Sequence, residues 1–272
     1  WVGDGTLYDG IMHLLPNHYL DLTEGKVVRY WPSRKFEHFP LGQAALSISD
    51  LLKGLLESAS RRQPLLLAVT AGWDSRVLLA ASKDLRGQLH YFTQRFGRMT
   101  DAHADLAVPA RLLKKLGLKH HIHDCPDEVD PAFKEILYKN VSTIQSEHKI
   151  PLYYDFYKHY SGSLNVSGNG SEIGRNYLRY TPNPSNGKDL ADSFGRKDDP
   201  YAMRCLQRWL EETQPVVDQC EMDINDLFYW EQRWMGNWKA SWSADLDIAI
   251  EEFMPFNFRA IMELFLSTDK EC

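Results

Sequence analysis

Long apolar runs, basic blocks and paired cysteines are all missing from this 272-residue sequence. Its hydrophobic stretches fall far short of the roughly 20 residues that a membrane-crossing helix needs. No basic-then-apolar leader opens it. A soluble, cytoplasmic protein with no membrane partner is expected. Lys and Arg number 31 against 37 Asp and Glu, a formal net charge of -6 at pH 7. That balance does not suit a protein whose main work is gripping a phosphate backbone, so nucleic acid is not an expected partner. Cys125, Cys205, Cys220 and Cys272 are scattered, with no pair at metal or redox spacing. Reduced thiols are the expectation. What remains is an ordinary globular composition, 43% hydrophobic and 25% charged, in a chain long enough for one large core or one core with an appendage.

Residues 7–31 alternate apolar and polar side chains around Pro16-Asn17 and Glu24-Gly25, as a pair of strands would. Ile48, Leu51, Leu52, Leu55, Leu56 and Ala59 recur at three and four, predicting an amphipathic helix that ends before Pro64. Strands and helices then alternate. Strands are predicted at 65–70, 89–96, 119–124 and 164–167. Helices are predicted at 77–85, at 101–116 with Pro109 kinking or starting it, and near 131–143 and 151–160. Such alternation favours an α/β fold, a parallel sheet flanked by helices. The last hundred residues differ: a polar loop at 181–200 precedes helices at 201–212, 223–238 and 257–266. Trp230, Trp234, Trp238 and Trp242 recur every four residues, so one helix face is expected to bury them.

The stretch LLLAVTAGWDSRVLLAAS at 65–82 joins the first predicted strand to its helix. Free amides and the dipole at a helix start suit an anion, most often phosphate. Gly72 lets a phosphate approach the backbone, Ser75 offers a hydroxyl, and Asp74 can hold a Mg²⁺ that neutralises phosphate charge. Taken alone, such a turn serves as a structural cap as readily as a phosphate site. His121 and His123 share one face of their strand, but no ligand-spaced partners stand near them, His120 or Asp124, which favours packing over a metal. Asp101 and Asp105, one helical turn apart, read as a solvated acidic helix start.

T-A-G-W-D-S at 70–75 resembles the pyrophosphate loop S-G-G-x-D-S of the N-type ATP pyrophosphatases. Three further stretches narrow the resemblance to the synthetase domain of asparagine synthetases and their β-lactam synthetase relatives. D-A-H-A-D-L-A-V-P-A-R-L-L-K-K-L-G-L-K-H-H (101–121) is similar to the family's acidic helix followed by L-G-x-x-H-H. V-S-G-N-G-S-E-I-G-R-N-Y (166–177) resembles S-G-E-G-A-D-E-L-F-G-G-Y, and E-E-F-M-P-F-N (251–257) resembles E-x-R-x-P-F-L-D. The four occur in the family's order over about 200 residues. The resemblance implies an adenine nucleotide alpha hydrolase-like (PP-loop) fold over 41–272, helical from about 200. Residues 1–40 would then be a short β remnant resembling the end of a glutaminase domain. That domain relies on an N-terminal cysteine where this chain has Trp1, so no glutaminase activity is expected, the glutaminase half being missing or separate.

By the same resemblance the chain adenylates a carboxylate with ATP and Mg²⁺, releases pyrophosphate and passes the acyl group to ammonia or an amine. Thr70, Ala71, Gly72, Asp74 and Ser75 would surround the pyrophosphate, and Arg76 could reach back to a phosphate. Ala68 and Gln94 would line the adenine pocket, Ser167 and Gly168 would meet nucleotide and substrate, and Asp74 with Glu172 would hold Mg²⁺. Several positions depart from the pattern: Asn169 stands where the family has Glu, the acidic pair after it is one residue short, and Asn257 follows P-F. In the family the transition-state lysine lies downstream of P-F-L-D, in a segment that these 272 residues do not complete. Ala71 replaces a glycine, a change costing roughly 1–2 kcal/mol where φ is positive and nothing where it is negative. Two functions share this reading: an amide-forming ligase, and a degenerate PP-loop protein that binds nucleotide or acts as a scaffold. Thiolation of tRNA on the same fold would want cysteine pairs and a basic surface.

Overall fold

The structure, a computed structural model, describes residues 2–6, 8–97, 99–141, 144, 146–175, 178 and 181–268. The chain divides into two compact units. One comprises Trp1–Phe39, Glu172–Ala240 and Phe265–Cys272, the other Pro40–Ser171 and Ser241–Leu264.

The second unit is an α/β fold. Its parallel sheet has the order β5-β4-β3-β6-β7, formed by β3 (Leu65–Ala68), β4 (Leu89–Arg95), β5 (His121–Asp124), β6 (Leu164–Val166) and β7 (Glu251–Phe253). Helices α1 (Leu41–Ser60), α2 (Trp73–Ala81), α3 (Ala104–Lys115), α4 (Pro131–Asn140), α5 (Ile150–His159), α9 (Lys239–Asp247) and α10 (Arg259–Leu266) complete it, α9 starting just before the boundary. Residues paired laterally in a parallel sheet point to the same face. Leu66 pairs with His90 and Asn165, and Asn165 with Glu252, so these four share a face with Ala68, Phe92 and Gln94. Leu66 and Phe92 pack there on Phe133 and Leu137 of α4, Ile150, Tyr153 and Phe156 of α5, and Leu246 of α9. Leu65, Leu67, Leu89, Tyr91, Leu164 and Val166 are buried on the opposite face. Each such aliphatic or phenylalanine side chain contributes about 1.5–3 kcal/mol by its burial. Burial on both faces makes β3 a continuous apolar run rather than an alternating one.

Several boundaries differ from expectation. Helix α2 starts at Trp73, directly after Gly72, so Asp74 lies in its first turn, where a carboxylate is favoured by the helix dipole. The apolar periodicity from Val77 marks only its core-facing part. Pro109 lies inside α3 rather than at its start. Strand β7 was not anticipated; it is three residues long, two glutamates and a phenylalanine, and at the sheet edge.

The first unit begins with an antiparallel hairpin, β1 (His18–Asp21) and β2 (Lys26–Arg29), turning at residues 22–25. The described residues before Pro16 form no strand. The polar segment 181–200 is not all loop. It holds α6 (Gly187–Ser193), whose Asn186 cap accepts from the amides of Lys188 and Asp189. Helix α7 (Pro200–Cys220) follows, then α8 (Ile224–Phe228) and a π-helix, Tyr229–Trp238. Gly236 permits that π-turn, because a Cβ there would stand 1.8 Å from the Glu231 carbonyl oxygen five residues back. Trp230 and Trp234 are buried, but Trp238 is 40% exposed, and the expected tryptophan stripe is broken. No helix among the described residues is long and apolar enough to cross a membrane.

Candidate functional site

From β3 the chain runs on to β4 and β5 on one side, whereas β6 and β7 lie on the other. The strand order therefore reverses at β3 and β6, and a crevice outside their carboxyl ends is where an open α/β sheet collects ligands. A cleft of about 250 Å³ lies there. It is lined by Ala68, Thr70, Gly72, Asp74 and Ser75 after β3, Gln94 at the end of β4, and Ser167 and Gly168 after β6. Ala71 and Arg76 are not in its lining, and Glu172 belongs to the first unit.

The loop is held by its own side chains. The Thr70 amide donates to Ser75 Oγ at 3.0 Å, the Ala71 amide to Asp105 Oδ1 at 2.9 Å, and the Gly72 amide to Thr70 Oγ1 at 3.2 Å. Gly72, the N-cap of α2, supplies no side-chain cap to the first turn of that helix. Gly72 has φ -64° and ψ 151°, and Ala71 is not among the positive-φ residues, so alanine there carries no strain. Glycine is required instead at Gly168: a Cβ would meet Asp74 Cβ at 2.9 Å and the Ser75 amide nitrogen at 3.3 Å. This close approach brings the turn after β6 onto the start of α2. Arg76 turns away from the cleft, donating from Nε to Gly72 O and stacking its guanidinium 4.3 Å from the Trp73 ring centroid.

Asp105 is not simply a solvated charge. Its carboxylate, 41% exposed, pins the pyrophosphate-loop candidate to α3. Asp105→Ala is expected to lower stability by about 1 kcal/mol, a typical net hydrogen-bond contribution, and to speed hydrogen exchange of the Ala71 amide. Exchange at Ala71 that is unchanged while the melting temperature falls would place the effect elsewhere. Asp101 pairs with Arg95.

The Asp74 carboxylate accepts a hydrogen bond from Ser171 Oγ, and Thr70, Ser75 and Ser167 bring further hydroxyls to the cleft. Hard oxygen donors of this kind suit Mg²⁺, which usually takes one or two carboxylates and completes its shell with water and substrate phosphates. Among the described residues, no group of three or more His, Cys, Asp or Glu is arranged to hold a metal ion. Asn169 also lines the cleft, its side-chain amide donating to Ser167 Oγ at 2.6 Å.

Sequence reasoning missed the other wall: Lys149, Tyr153, Asn165, Trp242 and Glu252. The Lys149 ammonium lies 3.3 Å from the Trp242 ring centroid. One signal was present in the sequence: Asn165 is a polar residue in the middle of a short apolar strand.

On the same sheet face His90 and His123 bring their Nε2 atoms to 2.7 Å, a distance that allows one shared proton. His123 is stacked between Phe92 and Tyr160, each at a 4.6 Å centroid distance, with Nδ1 3.3 Å from Asp155 Oδ2. His120 Nε2 is 2.9 Å from Thr93 Oγ1. Burial, then the charges of His121 and His123, hold His90 down at about 4. Burial also lowers His120 and His121. The folded chain therefore keeps His90 neutral at a pH where the unfolded chain, near 6.5, takes up a proton. Stability is full above about pH 6.5 and falls as pH drops toward 4. His90→Gln is expected to remove up to about one proton from that dependence, measured by urea unfolding between pH 4.5 and 7.5. An identical pH profile would remove His90 from the linkage.

No protein-family model matches the chain, and no curated protein matches it. Among solved structures the chain is similar to an NH3-dependent NAD synthetase from Campylobacter jejuni subsp. jejuni in complex with the nitrate ion. Identity is 11% and the TM-score 0.32, over 64% of this chain and 94% of that one.

Proposed function

We propose that this protein is an ATP-dependent, amide-forming ligase of the asparagine synthetase type within the PP-loop enzymes. The observation that carries the reading is the meeting of Asp74, the uncapped start of α2 and the turn after β6 at the switch point of a parallel sheet. A carboxylate oxygen of the substrate attacks the α-phosphorus of ATP and pyrophosphate departs. An amine or ammonia then attacks the acyl carbon, and AMP leaves with the electron pair of the broken C–O bond.

In this reading the first-turn amides of α2 and the hydroxyls of Thr70 and Ser75 orient the departing pyrophosphate, whose growing charge is the main barrier to offset. Asp74 would hold Mg²⁺, which would supply charge neutralisation on the phosphates. Ala68 and Gln94 form the wall for the base. Lys149 is the only cationic side chain among the described lining residues and faces the negative charge of carboxylate and phosphate. Ammonia would come from solution or from a separate glutaminase.

The test is a trap for the activated acyl group. ATP, Mg²⁺, hydroxylamine and a panel of amino and other carboxylic acids are expected to give a hydroxamate with AMP and pyrophosphate in equal amounts. Products of ADP and phosphate, or no nucleotide bound at millimolar ATP, would sink the proposal. A second reading has its own support: the amides of residues 70–72 already have protein acceptors, and Asn169 stands where the family has Glu. A scaffold of that kind binds ATP without releasing pyrophosphate under any of these acids.

A further inference from the structure

The β6–β7 side of the cleft carries two buried polar groups with no hydrogen-bond partner. Asn165 is 8% exposed with Oδ1 unpartnered, and Tyr153 is 2% exposed with its hydroxyl unpartnered; both line the cleft. A buried polar atom left unsatisfied destabilises the fold, so a ligand that answers these atoms recovers that loss. The strand register sets Asn165 beside Glu252. Glu252 also lines the cleft, with one carboxylate oxygen accepting from Ser243 Oγ at 3.1 Å. An amide oxygen and a carboxylate on neighbouring strands can only accept. Burial, then the charges of Asp245 and Glu252, push the Tyr153 phenol up, so it stays protonated, an O–H donor whose oxygen can also accept.

Gln94 Nε2 is unpartnered too, but it is a donor and stands on β4. Two strand spacings separate β4 from β6, about 10 Å, so Gln94 and Asn165 answer different groups. Trp242 and Leu246 give the β6–β7 side an apolar wall.

We infer that this side of the cleft is a subsite for an amino group, a primary amine or ammonium on a short carbon chain, whose N–H groups are taken by Asn165, Glu252 and Tyr153. A carboxylate or carbonyl placed against Asn165 Oδ1 and Glu252 would set lone pairs against lone pairs. Only the role of that amino group, as acyl acceptor or as part of the acid, rests on the ligase reading; its binding does not.

The test uses the whole chain with propylammonium chloride, 1-propanol and sodium propionate at matched ionic strength, read by calorimetry and thermal shift. Propylammonium is expected to bind and stabilise the protein, and propanol and propionate to do so at least tenfold more weakly. Tyr153→Phe is expected to weaken propylammonium binding at least tenfold while raising the melting temperature of the ligand-free protein. Asn165→Leu should weaken it similarly, and if that variant fails to fold, Tyr153→Phe carries the test. ATP binding is measured on the same samples. Amine binding without ATP binding removes the ligase reading and keeps the subsite; ATP binding without amine binding overturns the subsite. Equal binding of propionate, or propylammonium binding unchanged in Tyr153→Phe, overturns it as well.

Discussion

Asp74→Ala is expected to slow pyrophosphate release from ATP by about 10²–10³-fold, the usual scale for removing one preorganised charge-stabilising group, with the fold intact. The two halves of that expectation have different sources. Asp74 lies in the first turn of α2 and is not part of the buried core, so its contribution to stability is that of a carboxylate near a helix dipole, about 0.3–1 kcal/mol. Alanine is the best helix former, which offsets part of even that loss. The loss in rate corresponds to roughly 2.7–4 kcal/mol, several times larger, because in the proposed reaction this carboxylate would hold Mg²⁺ against the departing pyrophosphate. Asp74→Asn should behave like Asp74→Ala, since shape is kept and charge is not. Ser171→Ala separates the hydrogen bond from the charge: it removes the donor to Asp74 and leaves the carboxylate, so most activity should survive. Pyrophosphate release and circular-dichroism melts on the three variants decide the matter. Equal rates in Asp74→Ala and the parent would take this carboxylate out of the chemistry.

The central strand β3 was legible because burial on both faces favours an apolar run, as in Leu65–Ala68. Strand β7 was not, because two glutamates and a phenylalanine at a sheet edge gain their structure from pairing with β6 rather than from their own pattern. The strand-turn-helix at 65–81 could be read since its glycine and serine act locally. Asp105 could not: its bond to the Ala71 amide spans 34 positions and exists only once α3 has docked. Lys149, Tyr153 and Trp242 reach the cleft from helices far along the chain, and only the sheet register reveals that Asn165 and Glu252 stand side by side. The tryptophan repeat does not make one buried stripe, since Trp230 and Trp234 are buried whereas Trp238, at the end of the π-helix, is 40% exposed.

Glu231→Ala is expected to cost about 3–5 kcal/mol, the range for breaking a buried ion pair from one side. The Glu231 side chain is fully buried in the first unit, and Arg29 opposite it is 13% exposed. Both carboxylate oxygens accept from Arg29; Oε1 also accepts from Asn17 Nδ2 and Oε2 from Trp209 Nε1, each at 2.9 Å. Arg29 Nη2 donates onward to Thr213 Oγ1 at 3.1 Å. One carboxylate thus ties the β1–β2 hairpin, α7 and the π-helix together, and a two-stranded hairpin has little stability of its own. Truncation strands a guanidinium, an amide and an indole N–H together. Against a total stability of about 5–15 kcal/mol, the melting temperature should fall by roughly 6–20 °C. Glu231→Gln should lose less, because one oxygen still accepts. The double replacement Arg29→Met with Glu231→Leu distinguishes charge from shape: an apolar pair of similar volume often restores or exceeds the stability of a buried ion pair. Recovery in the double variant would mean that the network's worth lies in compensation, each group masking the other's burial. Additive losses would mean instead that the donors from Asn17 and Trp209 need this carboxylate whatever stands at position 29.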